Sequence, residues 1–342
     1  MKSRQQGLSL VELMIAITLG LVLSAAVIQV FMASRSSYRV QESLSLIQES
    51  ARFAMDYIGR EVRMAGYMGC NSTGGIAPNV IADPPAEGEF KAIEGLDDVP
   101  KDNDLDALLG TDVLSIRRGS TQSIRLTGNT DPVNANVHID ENSVGFVKGD
   151  YVLISDCTSA DIFRITNNPE PKAGGKKKAV LTHAKNTNTS NKLSKAYGPD
   201  AEVFGFVSSQ FFIRDTERDT GGGNPVTSLY FRERAIASGG AHSAATELVE
   251  GVENLQLMYG VDDNDDRSVD RYIAAGSVSD WETVLSVRVE LTMVALDEGV
   301  VGKTGADNAQ TVYDSEGKLI NNSDGRMRQV FTSVFALRNR LP

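Results

Sequence analysis

Hydrophobic and polar positions follow three patterns along the chain. From Leu13 to Met32 twenty residues carry no charge. As a helix they span about 30 Å, one hydrocarbon core. Next, Leu44, Ile47, Ala51, Ala54, Ile58, Val62 and Ala65 recur at three- and four-residue spacing, with Arg52, Arg60, Glu61 and Arg63 between them. That spacing predicts a continuing amphipathic helix, and Gly66 and Gly69 end it. Its small alanines suit close packing on a sheet better than a coiled-coil seam. Residues 71–110, rich in Gly, Pro, Asn and Asp, read as a long irregular loop. Short β-rich runs then follow: Asp112–Arg117, Gly149–Ser155, Asp161–Thr166, Val203–Arg214, Thr227–Ala237, Leu255–Val261, Thr283–Leu296 and Gln329–Arg338. Strands in succession without intervening helices predict an antiparallel sheet and an α+β fold. Pro169–Lys178 and Thr187–Lys195 read as solvated loops, and no internal repeat is present.

Polarity around the apolar run sets its orientation. Residues 1–7 are short and basic, with Lys2 and Arg4. By the positive-inside rule they stay cytoplasmic, which predicts a single-pass inner-membrane anchor to about residue 34 and export of everything after it. An ordinary secretory signal has its small-residue cleavage site after the apolar stretch. Here Met32-Ala33-Ser34-Arg35 runs on into helix, and the small residue Gly7 lies before the stretch instead. An acid, Glu12, sits just inside it, where insertion costs about 2–3 kcal/mol. On position alone, a functional membrane acid and a carboxylate snorkelling to the headgroups are equally good readings.

The string Gly7-Leu8-Ser9-Leu10-Val11-Glu12-Leu13-Met14 resembles the class III signal of type IV prepilins, with Leu8 where phenylalanine is usual. The resemblance implies cleavage after Gly7 by prepilin peptidase, N-methylation of Leu8, and Glu12 as the fifth mature residue. A neighbouring subunit's Glu12 then neutralises the Leu8 amine during packing, and an unpaired buried ion is expensive enough to enforce register. Segments 148–157, 160–166, 249–262 and 335–340 are similar to the minor pilin family PilW, so the resemblance spans nearly the whole chain. It implies a leader (1–7), a long N-terminal helix (8–66) and one type IV pilin-like α+β head (67–342). It also implies a structural, non-enzymatic subunit that primes assembly at the pilus tip. The implied partners are other minor pilins, the major pilin and a large tip adhesin. The related J-type pseudopilins of type II secretion are the alternative within the class, and a membrane-anchored periplasmic enzyme is the alternative outside it.

Charge and candidate chemistry change this picture little. A net charge of −11 leaves no dominant basic surface for nucleic acid. His138, His183 and His242 are scattered and read as surface or loop residues, without metal-ligand spacing. Gly302-Lys303-Thr304 lacks the first glycine of a P-loop, and Lys303-Thr304-Gly305 with Ser315-Glu316-Gly317-Lys318 places penicillin-binding motifs in the wrong order. The only two cysteines, Cys70 and Cys157, reach an oxidising compartment and are expected to pair, tying the helix exit to a strand. No cofactor is required. Calcium is the one candidate, because oxygen-bearing Asp262, Asn264, Asp266, Ser268 and Asp270 match positions 1, 3, 5, 7 and 9 of a calcium loop. Arg267 replaces the turn glycine and Ile273 the bidentate glutamate, so an acidic turn in solvent is the competing reading.

Overall fold

A computed structural model describes residues 9–72, 76–84, 90–169, 178–307, 309–320 and 322–340. The fold is α+β, a long N-terminal helix packed on mainly antiparallel sheets. Helix α1 (Leu10–Met64) leads into a hairpin of β1 (Tyr67–Met68) and β2 (Asn71–Ser72). Then come β3 (Asn79–Val80), β4 (Ile93–Leu96), β5 (Val113–Arg125) and β6 (Asn136–Ile139). The middle supplies β7 (Tyr151–Ser155), β8 (Ala160–Arg164), β9 (Ala179–Thr182), β10 (Glu202–Asp219), β11 (Pro225–Arg234) and β12 (Thr246–Glu250). The C-terminal part supplies β13 (Val252–Val261), β14 (Arg271–Ile273), β15 (Val284–Val294), β16 (Val312–Tyr313), β17 (Leu319–Ile320) and β18 (Arg328–Ala336).

The larger sheet has eight strands in the path β12-β11-β10-β7-β8-β3, with β5 and then β4 on the other side of β10. Strand β10 pairs with β5 over its first half and with β11 over its second. The smaller sheet has the order β14-β13-β15-β18. The expected apolar face of the helix is the buried one: Ile47, Ala51, Ala54, Ile58, Val62 and Ala65 lie in a core with Leu114, Phe211, Leu229, Leu255, Val289 and Phe335. This face therefore covers the seam between the two sheets. Burying each Ile or Val contributes about 1.5–3 kcal/mol. Gly59 lets the helix approach closely, because a Cβ there would lie 2.5 Å from the Phe335 ring. Across the seam, the buried Asp112 carboxylate accepts the N–H groups of Asp98 (3.1 Å) and Leu257 (2.7 Å).

Three sequence expectations need correction in part. Residues 71–110 hold little regular structure, as expected, but part of the segment is core: β4 pairs with β5, and Ala92 and Ile93 are fully buried. The 187–195 segment is not solvated throughout. Asn188 and Leu193 are buried, and Thr189 donates its N–H to the Ile81 carbonyl. His183 does lie in a loop, just past β9, but not at the surface: it is fully buried, 4.8 Å from the Phe163 ring, and burial pushes its pKa down to about 4. It closes a second core built from β6 to β9, which α1 does not enter.

Candidate functional site

The chemistry implied by the sequence begins at the start of α1. Gly7 and Leu8 lie outside the described residues. Ser9 is the N-cap, its hydroxyl accepting the Glu12 N–H at 3.2 Å while the Glu12 carboxylate accepts the Ser9 N–H at 2.9 Å. This reciprocal pair is a capping box and satisfies two of the helix's otherwise orphaned donors. One oxygen of Glu12 serves the cap.

From Leu10 to Tyr38 every residue of the helix is exposed. This stretch is long and apolar enough to cross a membrane, and no part of it is covered by the sheets. Cover begins at Arg39. Its guanidinium meets the Asp297 carboxylate at 2.8 Å and donates to the Glu298 carbonyl at 2.7 Å. Glu298 in turn accepts from Thr220, from the Gly222 N–H and from Asn224, so this loop binds the helix to the β10–β11 turn. Farther down, Glu61 pairs with Arg118 at 3.1 Å.

The lower end of the helix is clamped from two directions. Asn339 donates to the carbonyls of Ala65 (3.0 Å) and Arg63 (3.4 Å), so the chain's C-terminal segment caps its first helix. Gly66, at φ 71°, takes the left-handed turn that ends the helix, and its N–H reaches the Arg117 carbonyl at 2.9 Å. Beyond it Cys70 and Cys157 form a disulfide, with Cα atoms 5.3 Å apart. Cys157 sits in the β7–β8 turn, where Asp156 accepts from the N–H groups of Thr158 and Ser159 (2.8 Å each) and from Lys195 (2.6 Å). Burial raises the Asp156 pKa, but these donors outweigh it and hold the carboxyl at about 2. The expected bond is present, and it joins the helix exit to the β7–β8 turn, two residues beyond the strand end at Ser155.

Asp262, Asn264, Asp266, Ser268 and Asp270 share one loop between β13 and β14. Asp262 accepts the N–H groups of Asn264, Asp266 and Arg267, the last at 2.7 Å. Asp266 accepts from Ser268, Asp270 from Asp263 and Asn264, and Asp263 pairs with Arg271. Asp265 and Arg267 take left-handed backbone conformations, so the loop turns at Arg267 without the glycine. The oxygens thus hold the loop's own amides. Among the described residues no group of three or more His, Cys, Asp or Glu is gathered to hold a metal.

Sequence reasoning did not find the Arg39–Asp297 contact or the Asn339 cap. Both join residues more than 250 positions apart, and no local pattern marks them.

Comparison with known families agrees with this layout. Residues 2–28 match the prokaryotic N-terminal methylation motif, and residues 210–339 match the family described as type IV pilus-assembly protein W. No curated protein matches the chain. The methylation motif and the exposed apolar helix define the class, a prepilin-like protein of the type IV pilus. Within that class residues 210–339 are similar to the PilW family, and the match takes in the second half of β10 and everything from β11 to β18.

Proposed function

We propose that this chain is a minor pilin that primes assembly of a type IV pilus and forms part of its tip. In this reading it is cut after Gly7, N-methylated on Leu8 and held in the inner membrane by α1 until it is built into the pilus. Residues 67–342 act as one exported head. Other minor pilins, the major pilin and a tip adhesin are its neighbours. The observation that carries the reading is the division of one unbroken helix. Its first half is bare and apolar, and its second half lies beneath the sheets. A helix apolar on all sides needs an apolar surrounding, which lipid supplies first and the helices of other subunits supply later. The exposed Glu12 carboxylate suits the role of counter-charge to a Leu8 amine, while its bond from the Ser9 N–H keeps the helix capped. The match of residues 210–339 to a pilus-assembly family favours the pilus over a secretion pseudopilin.

Intact-mass analysis of membrane-extracted protein should show N-methyl-Leu8 as the first residue. Loss of Lys2 and Arg4 with the leader takes the net charge from −11 to −13. A mature chain starting beyond residue 30 would sink the proposal. Glu12→Ala should leave the melt of the head unchanged and still lower incorporation into sheared pili at least tenfold. Normal incorporation would assign Glu12 to the helix cap alone.

A further inference from the structure

The two sheets end in unlike edges. Strand β12 closes the larger sheet with five residues, among them Glu247 and Glu250, and its register with β11 slips between Leu229 and Tyr230. Charge, shortness and a bulge are the usual means of keeping an edge from pairing with a foreign strand. Strand β18 closes the smaller sheet with nine residues and pairs with β15 without a slip. It carries no charge and no proline from Gln329 to Leu337.

The ladder fixes which groups this edge presents. Leu337 N–H bonds the Leu285 carbonyl, and Ala295 N–H bonds the Met327 carbonyl, so odd-numbered residues face β15. The N–H and C=O groups of Val330, Thr332, Val334 and Ala336 point outward, and among the described residues they have no partner. At Arg328 the same edge is engaged by an imitation strand. The Gln310 side-chain amide donates to the Arg328 carbonyl (2.7 Å) and accepts its N–H (2.8 Å). Beyond Gln310 the edge borders an open groove of about 330 Å³, walled by Gln48, Arg52 and Met55 of α1 and by Phe331 and Ser333. Val334, 53% exposed, stands on the outer side.

Charge selects the occupant. Arg52 lines the groove, Arg63 lies 5.5 Å over the Phe335 ring, and Arg338 follows the strand. None of the three pairs with a carboxylate among the described residues, in a chain of net charge −11. Two copies joined by this edge would bring their arginines together, which disfavours self-pairing. We infer that the free edge of β18 docks an extended, acidic segment of another polypeptide, added as a fifth strand of the smaller sheet. Main-chain bonds to residues 330–336 supply the affinity, and Arg52, Arg63 and Arg338 select acidic ends.

The test uses the full chain in detergent and a fluorescent nine-residue peptide of alternating Val and Thr with Asp at each end. Saturable binding should raise its anisotropy, and replacing the end Asp residues with Lys should weaken binding at least tenfold. Val334→Pro deletes one outward N–H and no inward one, so it should weaken binding at least tenfold with an unchanged melt. Val334→Glu, which sets a like charge beside the acidic segment, serves if the proline variant unfolds. Absence of binding, equal binding of the Lys-ended peptide, or full binding by both variants would overturn the inference. Wild-type self-association in sedimentation that Val334→Pro abolishes would also overturn it, assigning the edge to a second copy.

Discussion

Leu10–Tyr38 and Arg39–Met64 are two halves of one helix, yet they answer to different partners. In the lower half, apolar residues stand at three- and four-residue spacing because only one face meets the sheets. In the upper half they lie on every side, and the chain itself covers none of them. The change falls at Arg39, whose bonds to Asp297 and Glu298 mark where the head takes hold. The lower half is therefore specified by intramolecular packing, and the upper half by what surrounds the molecule. A helix can be continuous in hydrogen bonding and still have two separate reasons for its sequence.

Substitutions should separate the halves, and the largest effect belongs to the foundation of the lower one. Replacing Cys70 and Cys157 together by Ser opens a link with a sequence separation of 87. Denaturant unfolding of the head should lose about 4–5 kcal/mol, the chain-entropy figure for a loop of this size. Thiol labelling of the denatured, unreduced wild type should find no free cysteine. Next comes Ile58→Ala, which should cost about 3 kcal/mol through lost burial and a cavity. Ile28→Ala, on the bare half, should stay within about 0.5 kcal/mol in the same assay. Comparable losses at both positions would erase the division.

A pH effect is smaller and concerns the seam that the lower half covers. Burial, with Asp97 and Asp98 nearby, pushes the Asp112 carboxyl up to about 6, against the pull of the N–H groups of Asp98 and Leu257. The folded state then holds this proton more tightly than the unfolded state. The contribution of Asp112 is complete below about pH 4 and declines as pH rises toward 6. Asp112→Asn should flatten that decline in melts between pH 4 and 6.5, whatever its effect on the baseline. The smallest effect is expected from calcium. With the 262–270 oxygens already holding the loop's amides, millimolar calcium should move the melting temperature by less than about 1 °C, since a ligand well below its dissociation constant adds almost nothing. A rise of several degrees that Asp266→Ala removes would make the loop a calcium site.

The helix face and eight of the nine strands of five or more residues were legible, β12 being the one missed. Strands β1 to β3 and β16 to β17 have two residues each, too few to show alternation. His183 continues the alternation of β9: Ala179, Leu181 and His183 are buried in turn, while Val180 and Thr182 are half-buried. For the site, the Gly7-to-Glu12 string was readable as chemistry because a lone acid in an apolar run demands a reason. The contacts that seat the helix were not, since they depend on where the 295–300 loop and the C-terminus come to rest.

The disulfide also has a mechanical meaning. A pull applied between α1 and the C-terminal sheet would run through the chain at Cys70. At about 3.5 Å per extended residue, the 87 positions between the two cysteines store about 300 Å of contour length. With the bond closed, tension crosses directly from residue 70 to residue 157, and none of that length can be drawn out. A subunit so fastened lengthens little before the force reaches its neighbours.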